Sequence, residues 1–407
     1  MTAATQLPIA RLPRKHRWIV GLGLTLFTCA ATACGSSTSA STESSDKAGT
    51  GADSAVVSQA KELIAAATTR VVSSTTLTDE LKTVTEFNGP AASAPITRNK
   101  KVIAIAPCVD PCDFAGDVIK RLGSQWGWSY QLLQSPDGGP QSMQGLTETA
   151  ISQHPDAIVI LGAPDLELTA QIAKAHRQGI KLVGFDSTQH LTPGFDAYTS
   201  IRADVQYRLE AYAAIADSNG HANMLLVAPS GFPDIDTYLK GVKAIFGRCA
   251  GCHLDVQTVA PGDYFSPTAI RAFVTARLNA APAIGYVAYL DDTASPQAIR
   301  AAIRASGRDV KQISGAGSSP GLAAVKDSSQ LLDVGVAVEW CSYAAVDQLR
   351  RLFAGQRPLS ADGWGGGAHI WTSANLPAEL TSQAAADAFN ATIDYRSAYQ
   401  RIWNAAG

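Results

Sequence analysis

Residues 153–186 read QHPDAIVILGAPDLELTAQIAKAHRQGIKLVGFD. The apolar run at 157–162 reads as a strand, 165–177 has helical spacing, and 181–185 is a second apolar strand. Continuously apolar strands separated by a helix belong to a parallel sheet covered on both faces. The same alternation extends in both directions. Apolar runs at 102–106, 130–134, 198–201, 223–228, 256–259, 284–290, 310–314 and 334–338 predict further strands. Helical spacing recurs at 114–126, 142–153, 205–216, 235–246, 267–279 and 296–306. The class is therefore α/β. About 300 residues of such alternation exceed one small doubly wound unit, so two lobes are expected.

In open parallel sheets ligands sit beyond the carboxyl ends of the strands. The residues there fall at 107–114, 163–165, 186–189, 228–233, 263–265, 291–292, 315–321 and 339–340. They are rich in carboxylates and aromatics and poor in Lys and Arg. Carboxylates accept hydrogen bonds from hydroxyls, and flat rings cover the apolar face of a sugar. Phosphate needs cations or an amide cradle, and no G-x-x-x-x-G-K-[ST] is present. The pattern suits a small neutral polyhydroxylated ligand.

Composition narrows the class. Of 407 residues 46% are apolar and 17% charged, with a formal net charge of −2. That excludes a mostly disordered chain and offers no basic face for nucleic acid. Seven cysteines are too few to build a disulfide miniprotein of this length, so apolar burial must hold the core.

The front end has a different character. Arg11, Arg14, Lys15 and Arg17 precede an apolar run at 18–27, too short to span a bilayer. Ala31, Thr32 and Ala33 then lead to Cys34. This is the layout of a secretory signal, 1–33, and the cysteine after small residues resembles a lipobox with Cys34 as the lipidated first residue. From 35 to 54, 13 of 20 residues are Ser, Thr or Gly, a flexible tether reaching about 25 Å. A helix is predicted at 55–72, and a loop with Pro90, Pro95 and Asn99 reaches the body at Lys100, so 34–99 reads as a lipidated tether with a helix. The protein is expected to be exported and held on the outer face of the cell membrane. In that compartment the close pairs Cys108/Cys112 and Cys249/Cys252 predict local disulfides, leaving Cys341 unpaired. Cys249-x-x-Cys252-His253 lacks the second cluster a structural zinc site uses, so no metal or other cofactor is expected.

The stretches at 101–114, 153–162 (QHPDAIVILG), 175–186 (AHRQGIKLVGFD) and 289–307 (YLDDTASPQAIRAAIRASG) resemble, in order, the type I sugar-binding lipoproteins of ABC importers, the ribose-binding group of periplasmic proteins. The resemblance implies two Rossmann-like lobes joined by a multi-strand hinge and closing on ligand. One lobe would hold 100–203 plus about 340–370, the other 204–339 plus about 371–407. It also implies a monomer that delivers a small carbohydrate to a membrane permease driven by a separate ATPase. Carried over by position, Phe114 is the ring-stacking aromatic and Asp186 the hydroxyl-binding aspartate. Tyr264 is an aromatic of the opposite lobe, Asp291 a further hydroxyl ligand, and Glu339 stands near a family glutamine. The chain departs from the family at Ser187 and Tyr238, where arginines are common, and at Ala316 and Gly317, where an aspartate turn is usual. Each residue also has a plainer reading: Asp186 and Asp291 as helix N-caps, Phe114 as core.

The same residues admit other classes. Gly317-Ser318-Ser319-Pro320-Gly321 fits G-x-S-x-G, and Asp333 and His369 follow in hydrolase order. Pro320, however, has no N–H to give an oxyanion hole, which argues against a hydrolase using Ser319. Asp291 and Asp292 are adjacent, and neighbours do not flank a glycosidic bond. An export signal argues against a repressor. A sensor presenting ligand to a membrane receptor shares these features with an importer component.

Overall fold

The computed structural model describes residues 49–76, 79–107, 110–135, 139–162, 168–185, 194–231, 235–289, 292, 296–360 and 363–407, with backbone alone for 49–53. Cys34, Cys108, Asp186 and Asp291 lie outside the described residues.

The smaller sheet contains β3 (Lys101–Ala106), β4 (Ser129–Gln134), β5 (Ala157–Leu161), β6 (Lys181–Phe185) and β7 (Ala197–Thr199) in the order β4-β3-β5-β6-β7, all parallel. Every residue of β5, AIVIL, is buried, as expected of a central strand covered on both faces. Each large aliphatic side chain there contributes about 1.5–3 kcal/mol.

The larger sheet contains β1 (Val71–Ser73), β2 (Lys82–Val84), β8 (Asn223–Pro229), β9 (His253–Val259), β10 (Tyr286–Tyr289), β11 (Lys311–Ser314), β12 (Leu332–Val336) and β13 (Ala368–Trp371). Its order is β2-β1-β13-β12-β11-β10-β8-β9. The stretch from β9 to β12 is parallel, while β13, β1 and β2 continue the sheet antiparallel. Part of the predicted tether is thus sheet. Val72 pairs with Ala368, and the helix expected over 55–72 runs instead over Gly49–Ala67. Strands of three residues carry no readable alternation, and they exist here because β13 offers an edge.

Helices cover both sheets. Pro296–Ser306 buries Pro296, Ile299, Ala302 and Ile303, one face at helical spacing. Ser266, Ser318, Thr381 and Asp394 cap their helices through their side chains. The helix Val338–Phe353 is enclosed through most of its length, because it packs on the smaller sheet and on the helices Cys112–Ser124 and Tyr395–Ala405. Its Arg350 guanidinium lies 4.8 Å from the Trp126 ring and 5.5 Å from the Trp403 ring. It also donates to the Ala94 carbonyl at 2.7 Å. Cation–π contact and carbonyl acceptors thus replace the water this buried charge gives up. Cys249 and Cys252 are bonded to each other, and the buried Cys341 thiol lies 3.2 Å from the Thr199 hydroxyl.

Candidate functional site

The chain passes between the lobes at residues 336–339, from the end of β12 into the helix Val338–Phe353. Beside this crossing lies a narrow cleft. Pro111 and Phe114, after β3, form its wall on the smaller-sheet side. Ala316 and Gly317, after β11, together with Trp371 at the end of β13 and Ser382, Ala385 and Phe389 of the helix Ser382–Thr392, form the other. Glu339 closes the back. The space amounts to about 20 Å³, room for one water, so the lobes are drawn together here.

Two features place the aromatic wall. Gly335 lies under the Trp371 indole where a Cβ would collide with it, so only glycine lets Trp371 lie flat on the sheet end. The His369 ring packs edge-on against the same indole at 4.3 Å. The described lining contains no Lys or Arg. Arg121 and Arg396 lie nearby but are committed to the Glu339 carboxylate, which also accepts from the Tyr395 hydroxyl at 2.5 Å.

The predicted site residues fall in different places. Phe114 and Glu339 border the cleft. Tyr264 is fully enclosed and stacks on Tyr289 at 4.4 Å, with its carbonyl accepting from the Tyr289 hydroxyl. Tyr238 is buried on the helix Ile235–Phe246, 6.3 Å from the Tyr207 ring. Asp186 and Asp291 lie outside the described residues. The sequence reading missed Trp371, Ser382 and Phe389. Their signal was faint: the four-residue strand Ala368–Trp371, and a capped helix that begins only at Ser382.

The hydrolase constellation is not assembled. His369 Nδ1 lies 3.3 Å from the Arg70 carbonyl and its Nε2 lies 3.3 Å from the Asn375 amide. Burial pushes His369 down to about 4. Asp333 accepts from the Gly317 amide, and Ser319 presents its amide to Asp110. The nucleophile, base and orienter of a triad must bond one another, and here the bonds of His369 and Asp333 lead elsewhere.

A family model describing a periplasmic binding protein domain matches residues 112–357. The chain belongs to that family. Solved structures agree in fold. An ABC transporter solute-binding protein from Burkholderia graminis, in complex with D-arabinose, has 19% identity and a TM-score of 0.59, over 69% of this chain and 98% of its own. A glucose-galactose binding protein from Geobacillus stearothermophilus has 12% identity and a TM-score of 0.60, over 69% of this chain and 100% of its own. A 5-methylthioribose transporter solute-binding protein from Thermotoga lettingae has 18% identity and a TM-score of 0.59, over 74% and 95%. No curated protein sequence matches the chain. The family is one of extracytoplasmic binding proteins, and among the described residues no helix is long and apolar enough to cross a membrane.

Proposed function

We propose that this periplasmic binding protein captures a small neutral polyhydroxylated ligand, a sugar or polyol, between its lobes. It then hands the ligand unaltered to an ABC permease driven by a separate ATPase. The observation that carries the reading is the cleft's lining: aromatic rings from both lobes, Phe114 on one side and Trp371 and Phe389 on the other, with no cation among its described residues. Such a lining covers the apolar face of a sugar ring and offers phosphates and carboxylates no cation to pair with. The ligands held by the structural relatives, D-arabinose and 5-methylthioribose, belong to this class.

A ligand shifts the open–closed equilibrium only by its differential affinity for the two states, so it must touch both lobes. Phe114 and Asp186 serve from the smaller-sheet side and Asp291 from the other. Glu339 fixes the crossing. Thermal-shift screening of the protein without its lipid against pentoses, hexoses and polyols identifies the ligand. X-ray scattering with that compound should show compaction, and recovery of a converted product would overturn the reading. Asp186→Ala is expected to weaken binding about tenfold or more in calorimetry with the fold intact, the scale of one charge-assisted hydrogen bond. Unchanged affinity would remove Asp186 from the site.

The same reading places the protein on the outer membrane face through lipid on Cys34, with the Ser-rich stretch as tether. Cys34→Ala is expected to move the protein from the membrane to the soluble fraction on cell fractionation. Continued membrane retention would mean another anchor.

A further inference from the structure

The Gly-Ser turn after β11 commits its backbone amides one by one. Gly317 N donates to Asp333 Oδ1 at 3.0 Å and Ser318 N to Asp292 Oδ2 at 3.4 Å. Both acceptors are fully buried in the larger-sheet lobe. Ser319 N, the next amide, donates at 3.3 Å to Asp110 Oδ2. Asp110 does not belong to that lobe; it stands between β3 and the helix Cys112–Ser124. Its other oxygen, Oδ1, accepts from the Ser382 hydroxyl at 2.9 Å. Successive amides of one turn therefore meet aspartates, and the last of these reaches across from the opposite lobe.

The amides of this helix start leave little else for a partner to take. Pro320 has no N–H, Gly321 N is bonded to Ser318 Oγ, and Leu322 N to the Ser318 carbonyl. Ser382 likewise opens its own helix, Ser382–Thr392, whose Ala384 amide is already capped by Thr381. The Asp110 carboxylate thus sits between two helix N-termini, where the backbone dipoles favour negative charge. In an open form these donors and the carboxylate return to water.

We propose that Asp110 is an interlobe latch: by bonding the Ser319 amide and the Ser382 hydroxyl it stabilises the closed form, so that the ligand supplies only the remainder of the closing free energy. This rests on the capture reading, but the test reads lobe separation with no ligand present, so a failed ligand screen and a failed latch are distinguishable. Spin labels on Thr149→Cys and Lys326→Cys, one exposed site on each lobe, report the distance distribution of the full chain. Asp110→Ala and Ser382→Ala should each shift the closed-to-open ratio towards open, by about tenfold for Asp110→Ala, the scale of a charge-assisted bond. The double variant should open no further than Asp110→Ala alone, because both remove the same bond. An unchanged distribution in Asp110→Ala, or additive shifts in the double variant, would overturn the latch. So would an affinity loss in Asp110→Ala without any change in lobe distance, which would make Asp110 a plain ligand contact. Melting temperatures within a few degrees of the parent establish that each variant is folded.

Discussion

Glu339→Ala is expected to lower the melting temperature by roughly 10 °C. The side chain is almost wholly buried and serves as the shared acceptor of three donors from two helices. Arg121 Nη2, from the helix after β3, lies at 2.8 Å. Arg396 Nε lies at 2.7 Å and the Tyr395 hydroxyl at 2.5 Å, both from the last helix. Removing one partner of a buried charge network costs about 3–5 kcal/mol, because the groups left behind keep their desolvation and lose their acceptor. Tyr395 makes this acute. Its ring is stacked against Trp340 at 4.9 Å, so the hydroxyl cannot swing to water. Glu339→Gln keeps an acceptor and should lose less. Calorimetric or circular-dichroism melting decides: a change in ligand affinity with no loss of stability would mean that Glu339 faces the ligand rather than holding the crossing.

Asp292→Asn is expected to be stabilising, and more so at high pH. Asp292, Asp333 and Glu210 are fully buried in one group beneath the turn after β11. Burial raises Asp292 well above the ordinary carboxylate range, and the Asp333 charge raises it further. Burial pushes Asp333 up to about 6, and it raises Glu210 with help from the Asp292 charge. Asp292 Oδ1 and Glu210 Oε2 have no hydrogen-bond partner among the described residues. The space is also full: a Cβ at Gly321 would fall on the carboxylates of Asp292 and Asp333. A carboxyl whose folded-state value is raised stabilises fully below its unfolded value, near 4. That contribution is lost as pH rises through the folded value, about 6 for Asp333 and higher for Asp292. His369, held down to about 4 by burial, acts the other way, losing stability as pH falls through the same window. The readout is therefore the difference between variant and parent at each pH. Asn should melt higher by roughly 5 °C or more at pH 8, and the gap should close towards pH 4. A gap that is constant with pH, or of opposite sign, would show that Asp292 is ionised in the folded protein at no cost.

Some elements are plain in the sequence alone. The helices Ile235–Phe246 and Pro296–Ser306 fall at the residues their periodicity predicts, because each buries one stripe and exposes the rest. The central strands β5 and β6 are nearly unbroken apolar runs and cannot be anything else at that length. The helix Val338–Phe353 escaped for the opposite reason. Glu339, Asp347, Gln348 and Arg350 are polar yet all are buried, so no exposed stripe marks the helix in the sequence. Each is rescued by a partner far along the chain, such as Trp403 Nε1 on Asp347 at 2.9 Å. No local pattern encodes such a pairing.

Periodicity suffices for the α/β class and the twin lobes. These follow from burial, which each segment records in its own residues. The Asp110 bridge to Ser319 and Ser382 and the Glu339 network are another matter, as are the acid cluster under Gly321 and the extra strands before β3. They join residues as far apart in the chain as Val72 and Ala368. Whether a carboxylate there meets an amide, a guanidinium, another acid or water is set by how the elements pack, which no single segment of the chain contains.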